Sequence, residues 1–178
     1  MDETDRLNAS AGGCGAPPEP QDRNRAPAGL TREYRSGHVS VLWFAERCIH
    51  AADCIRLLPQ VFDPERRPWV DVDAADADAI ARAVLACPTG ALQLGPHPTG
   101  PREPVPEGTT VTTVRNGPDF VRGPAEVRDA SGGLIREDTR MALCRCGKSA
   151  HMPFCDNAHR ATRFRDPGAF PAPPAADS

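Results

Sequence analysis

Apolar positions gather into two separated blocks along the chain. From His38, HVSVLWF alternates and is rich in β-branched residues, which predicts a strand. Residues 52–58 predict one or two helical turns, ended near Pro59. RRPWVDV predicts a short strand. DAADADAIARAVLAC is patterned as a helix: Asp73 can cap it, Asp76 and Asp78 suit its first turn, and Ile80, Val84 and Cys87 fall on one face. ALQL predicts another strand. The second block, from Thr109 to Cys144, predicts short β segments with turns at Asn116-Gly117-Pro118 and Ala130-Ser131-Gly132-Gly133. The expected fold class is therefore α+β, in two small units.

Around the blocks lie stretches without periodicity. Residues 95–108, GPHPTGPREPVPEG, hold five prolines and three glycines and predict an extended, semi-rigid linker, with His97 in solvent. Residues 1–33 read as a disordered tail and residues 166–178 as a loose one. The 178 residues suffice for one or two small domains, and 20 Pro and 15 Gly place part of the chain outside packed core. A net charge of −3 gives no general attraction to nucleic acid or anionic membrane, and no apolar run approaches a membrane span. MDETDRLNAS lacks the apolar core of a secretory signal, and seven cysteines make an odd count. Together these point to reduced thiols in a cytoplasmic protein rather than a disulfide framework. Cys14, in GGCG, reads as a stray exposed thiol, and the glycosylation pattern Asn8-Ala9-Ser10 is without meaning in that compartment. No nucleophile–base pair, phosphate loop or dinucleotide fingerprint is present, so enzyme chemistry is not expected.

The chemistry concentrates in Leu143–Arg160, LCRCGKSAHMPFCDNAHR. Cys144-x-Cys146 is followed by Cys155-x-x-x-His159, and soft thiolates with an imidazole at this density predict a metal site. Gly147 permits close backbone approach, Pro153 fixes the chain direction, and Asp156 and Asn157 suit a helix start. Structural zinc also accepts three Cys and one His, but its first two cysteines are usually spaced C-x2–4-C, wider than here. The stretch resembles the CDGSH iron-sulfur domain in Cys144, Cys146, Ser149, Pro153, Cys155, Asp156, Ala158 and His159. Asn157 alone departs, standing where that family has Gly; Asn tolerates positive φ better than other non-glycine residues. The resemblance covers about 109–165 and implies a [2Fe-2S] cluster on Cys144, Cys146, Cys155 and His159. His151 falls at a variable place of the pattern and is expected on the solvent side. Arg145, Lys148 and Arg160 either favour the reduced cluster by their charge or form a solvated rim.

A second constellation comprises Cys48, Cys54 and the Cys87-Pro88-Thr89-Gly90-Ala91-Leu92 run. It resembles a divergent single-cluster ferredoxin domain over residues 34–94. Ordinary ferredoxins carry C-x2-C-x2-C with a distant Cys-Pro. Against that spacing Ala51 occupies the middle position, and alanine cannot ligate iron. Three cysteines suit a [3Fe-4S] cluster, or a [4Fe-4S] cluster whose fourth iron takes water, His50 or Asp53. Ordinary buried thiols are the alternative.

The architecture expected is thus a small ferredoxin-like domain, the linker, and a small β-rich CDGSH domain. The function expected is one-electron transfer or redox sensing by two clusters, with redox partner proteins. Cluster storage and transfer is the rival within the same chemistry, and a structural zinc module the rival outside it. Family members with one CDGSH motif per chain are commonly homodimers, which makes a homodimer the expected assembly.

Overall fold

A computed structural model describes residues 29–170. The expectations for the N-terminal tail up to residue 28, including Cys14 and Asn8-Ala9-Ser10, and for residues 171–178 lie outside the described residues.

The elements run β1 (Arg32–Arg35), β2 (Ser40–Trp43), α1 (Asp53–Leu57), α2 (Ala77–Leu85), β3 (Leu92–Leu94), β4 (Thr110–Thr113), β5 (Asp119–Arg128), β6 (Leu134–Leu143) and α3 (Ala158–Ala161), with a single 3₁₀ turn at Ala45–Arg47. The described part is mixed α+β: two three-stranded antiparallel sheets, ordered β1-β2-β3 and β4-β5-β6, and few helices.

The first sheet carries the main core. Val39, Val41, Val61, Phe62, Ile80 and Val84 are completely buried. Ile80 and Val84, four residues apart, present one face of α2 to the sheet. Trp69 closes the edge, its ring 4.7 Å from Trp43 and 6.5 Å from Tyr34.

Local expectations are met unevenly. Within residues 52–58, Asp53–Leu57 fold as α1, and the turns flanking β5 fall where Asn116 and Asp129 stand. The cap of α2 is Asp76, whose carboxylate accepts from the Ala79 amide at 2.8 Å. Asp73 instead sits in a turn with Asp71, and Cys87 lies beyond the helix end. The proposed strand RRPWVDV reduces to an isolated bridge between Phe62 and Val70, because Pro68 removes a ladder donor. Conversely β1, a charged edge strand with only Tyr34 buried, carries almost no apolar signal in its sequence.

The linker is anchored rather than free. Glu103 accepts from the Leu94 amide at 3.0 Å and pairs with Arg140 at 2.6 Å. His97 is 8% exposed, not solvated: its Nδ1 accepts from the Gly100 amide at 2.9 Å, and its Nε2 lies 3.3 Å from the Ser36 carbonyl. After Gly95, whose amide still donates to the Ser40 carbonyl of β2 at 2.8 Å, the prolines lack ladder donors, and the stretch is held largely by contacts that involve side chains.

The second sheet has a thin core of its own, Val121, Met141 and Ala142. A register shift lies between Arg122 and Ala125, at Gly123 (φ +109). A Cβ at Gly123 would lie 2.1 Å from the Gly108 carbonyl oxygen, so only glycine lets β5 pass the incoming linker. The sheet is completed by docking on the first unit. Arg140 of β6 donates to the carbonyls of Val84, Cys87 and Leu92 at 2.7–2.9 Å. Asp138 of β6 accepts from Arg47 at 2.8 Å and from Gln93 at 2.9 Å.

Candidate metal centres

The C-terminal centre grows out of the end of β6. The Cys144 amide donates to the Pro153 carbonyl at 2.8 Å and the Cys155 amide to the Ala142 carbonyl at 2.9 Å. This pairing sets Cys144 and Cys155 on adjacent arms of one loop. Ser149 Oγ donates to the Phe154 carbonyl at 2.7 Å, closing the loop from inside. Asp156 ties both halves, accepting from the Ala150 amide at 2.8 Å and from the Ala158 amide at 2.9 Å. It thereby takes the capping role at α3, because Asn157, the residue preceding the helix, makes no side-chain cap. Asn157 adopts φ +78, the left-handed conformation expected of a position that the CDGSH pattern gives to Gly.

The donors come as two pairs. Cys144 Sγ lies 3.7 Å from Cys146 Sγ, and Cys155 Sγ lies 3.4 Å from His159 Nδ1. Backbone amides serve the sulfurs. Burial works to raise the Cys144 thiol, but amides of Ser149, Gly147 and Lys148 and the Cys146 side chain outweigh it, so its pKa lies below the ordinary thiol range. Gly147 supports this turn with φ +67. Nothing stands within 4 Å of where its Cβ would be, so the need is conformational freedom rather than close approach. Burial pushes the Cys155 thiol up, helped by the neighbouring Cys144, Asp156 and Cys146 charges and opposed by the Asn157 amide, which reaches its sulfur at 3.3 Å. Burial, then Arg160, holds His159 below the ordinary imidazole range, against Asp156, so it is neutral at pH 7 and able to ligate.

The surrounding charges differ in role. Arg145 is committed to the fold: it pairs with Asp166 at 2.8 Å and donates to the Gly117 and Val114 carbonyls at 3.0 Å. Lys148 and Arg160 are exposed, a solvated rim. His151 is exposed and borders a different groove from the cleft that His159 lines.

The N-terminal centre is built from three element ends. Cys48 follows the 3₁₀ turn, Cys54 is the second residue of α1, and Cys87 lies just past α2. All three line one cavity of about 360 Å³ with Trp43, Trp69 and Ile55. His50 (φ 53) and Ala52 (φ 64) bend the connecting loop, and Ala51 lines the same cavity. Burial raises the Cys48 thiol, as does Cys87, with the His50 amide opposing. Cys54 is pushed up to about 11 by burial, then by Cys87, with Cys48 adding. The thiols raise one another's pKa, so they resist becoming thiolates together; a bound cation in the cavity they share would relieve that repulsion by taking the places of their protons. The remaining candidates, His50 and Asp53, line the same cavity; His50 is exposed and Asp53 is paired with Arg56 at 2.5 Å. Thr89, 3% exposed with its hydroxyl 3.7 Å from Cys87 Sγ, escaped the sequence reading, although its place in Cys-Pro-Thr-Gly was the available signal.

Two family models match stretches that contain the candidate donors. Residues 34–96 match the family model described as a divergent 4Fe-4S mono-cluster. Residues 116–160 match that described as an iron-binding zinc finger of CDGSH type. Among curated proteins, the chain is similar to the uncharacterized protein YjdI of Escherichia coli strain K12 and to its counterpart in strain O157:H7. Each is 29% identical over 62 residues, covering 35% of this chain and 82% of the relative. The two family models, not these relatives, carry the iron-sulfur description, and no helix among the described residues is long and apolar enough to cross a membrane.

Proposed function

We propose, for a chain that carries a divergent 4Fe-4S mono-cluster domain followed by a CDGSH iron-binding domain, that it is a one-electron carrier with two iron-sulfur clusters. Cys144, Cys146, Cys155 and His159 would hold a [2Fe-2S] cluster. Cys48, Cys54 and Cys87 would hold a ferredoxin-like [4Fe-4S] cluster, or its [3Fe-4S] form. Bound clusters supply reversible one-electron chemistry. The chain's own residues bind the irons, aim amides at the sulfurs and limit water.

The observation that carries this reading is the arrangement of the C-terminal donors as two pairs, Cys144 with Cys146 and Cys155 with His159. Two irons bridged by sulfide need two donors each, whereas one zinc ion gathers all four around a single point. The neutral imidazole also leaves the site one negative charge short of an all-thiolate set. Reduction is thereby easier, in the direction that Rieske centres take with two imidazoles. Iron and acid-labile sulfide analysis of anaerobically purified protein, with EPR before and after dithionite, tests the reading. Zinc without labile sulfide, in protein made with iron available, overturns it.

Cluster delivery is a second reading, favoured by His159. It is only half-buried and borders an open cleft. Protonation of that imidazole would loosen one corner of the site. Transfer of iron and sulfide to an apo-ferredoxin, faster as pH falls, would support delivery over electron transfer.

A further inference from the structure

The two centres meet through a buried seam. Ile49 follows Cys48 directly and is 6% exposed. It joins Ala142 and Cys155 in one buried apolar cluster, against which Ala51 and Phe120 pack. Ala142 is fastened to Cys155 by a 2.9 Å backbone hydrogen bond. The residue beside the first N-terminal cysteine thus enters the same small core as the third C-terminal one. Ile49 and Ala51 also line, together with His159, a cleft of about 340 Å³. The frame around this seam is held by two charged anchors, Arg140–Glu103 at 2.6 Å and Arg47–Asp138 at 2.8 Å.

Close-packed apolar atoms between two redox centres shorten the path through matter and keep water out of it. Neighbouring Cα atoms lie about 3.8 Å apart, and packed apolar side chains touch at about 4–4.5 Å. From Cys48 to Cys155 the path is one residue step and one or two such contacts. A core that served only to glue two domains could have used any part of the first unit. This one uses the ligand loop itself.

We infer that the Ile49–Ala142–Cys155 seam is an internal electron path, which makes the chain a two-centre relay rather than two independent carriers. The inference rests on the two-cluster reading above. In the step, one electron leaves one cluster, oxidising it by one unit, and enters the other, reducing it by one unit. No bond is made or broken, and no proton moves.

The test uses the full chain loaded with both clusters. EPR of wild-type protein, poised so that both centres are paramagnetic, should show a spin–spin splitting. That splitting should be lost in Cys87→Ser and in His159→Ala, each of which retains one centre. After flash reduction, one chromophore should recover as the other bleaches, at a rate independent of protein concentration. Ile49→Asn, which hydrates the seam, should slow that phase several-fold, while Ile49→Leu should leave it near wild type. Two intact chromophores with no splitting, or with equilibration that scales with protein concentration, overturn the relay alone. Absence of either chromophore from the wild-type chain overturns the reading on which it rests.

Discussion

Arg140 and Glu103 form an ion pair at 2.6 Å, with the arginine side chain only 4% exposed. The same guanidinium holds the carbonyl of Cys87, so a residue of the second sheet positions the closing cysteine of the first unit. Arg140→Ala would take the cationic partner from Glu103, which keeps the Leu94 amide, and one donor from each of three carbonyls, of which that of Val84 keeps the Cys87 amide. The expected loss is about 3–5 kcal/mol, the range for breaking a buried pair from one side. Chemical denaturation should show it, together with iron loss from the N-terminal centre before the C-terminal one. Equal loss from both centres would mean that the clamp is merely structural.

His159 supplies a pH dependence whose sign follows from its surroundings. Its folded pKa is depressed, first by burial and then by Arg160. The neutral imidazole is therefore the favoured form in the fold. Its contribution is complete above the unfolded value of about 6.5 and is lost as pH falls through the depressed folded value. Visible absorbance should hold near neutrality and bleach on acidification below about pH 6.5. His159→Cys should move the bleaching to lower pH and lower the reduction potential, since a thiolate adds negative charge. An unchanged potential and acid profile would remove His159 as the ligand.

Asn157 occupies φ +78 with its side-chain oxygen buried and without a hydrogen-bond partner. Asn157→Gly relieves both features and should stabilise the protein by about 1 kcal/mol with the cluster retained. Asn157→Val forces a β-branched residue into the left-handed region, at a cost of about 1–3 kcal/mol, and should lower cluster occupancy. Thermal melts and the iron-to-protein ratio of the two variants check this, and similar behaviour of the two would refute it.

Ala51 lines the N-terminal cavity where ordinary ferredoxins place a cysteine. His50 and Asp53 line the same cavity, but Asp53 pairs with Arg56 and His50 is exposed, so on the two-cluster proposal water is taken as the partner of a fourth iron, with these two side chains as the alternatives. Air-handled protein should therefore give an oxidised-state [3Fe-4S] EPR signal. Ala51→Cys should convert it to an air-stable [4Fe-4S] form, silent when oxidised. A three-iron signal created by His50→Ala or Asp53→Ala would instead identify that side chain as the fourth ligand.

The sequence by itself determined the two family resemblances, the α+β class and the candidate residues of both donor sets. Those features are encoded locally: Cys144-x-Cys146 and Cys155-x-x-x-His159 need only one loop, and α2 declares itself by the spacing of Ile80 and Val84. Asn157 was likewise legible as a left-handed position, because few non-glycine residues tolerate positive φ. Tertiary structure decided everything that depends on a distant partner. Arg140, an unremarkable charge in β6, is buried because the carbonyls around Cys87 and the carboxylate of Glu103 converge on it. His97 is buried because the linker folds back onto Ser36, and Arg145 is drawn from the cluster rim to Asp166. β1 exists through its pairing with β2, since its own sequence has one buried side chain. The contact of Ile49 with Ala142 and Cys155 joins positions about a hundred residues apart, and no local pattern of apolar residues specifies such a meeting; it arises because the thin core of the second sheet is completed by burying apolar surface against the first unit.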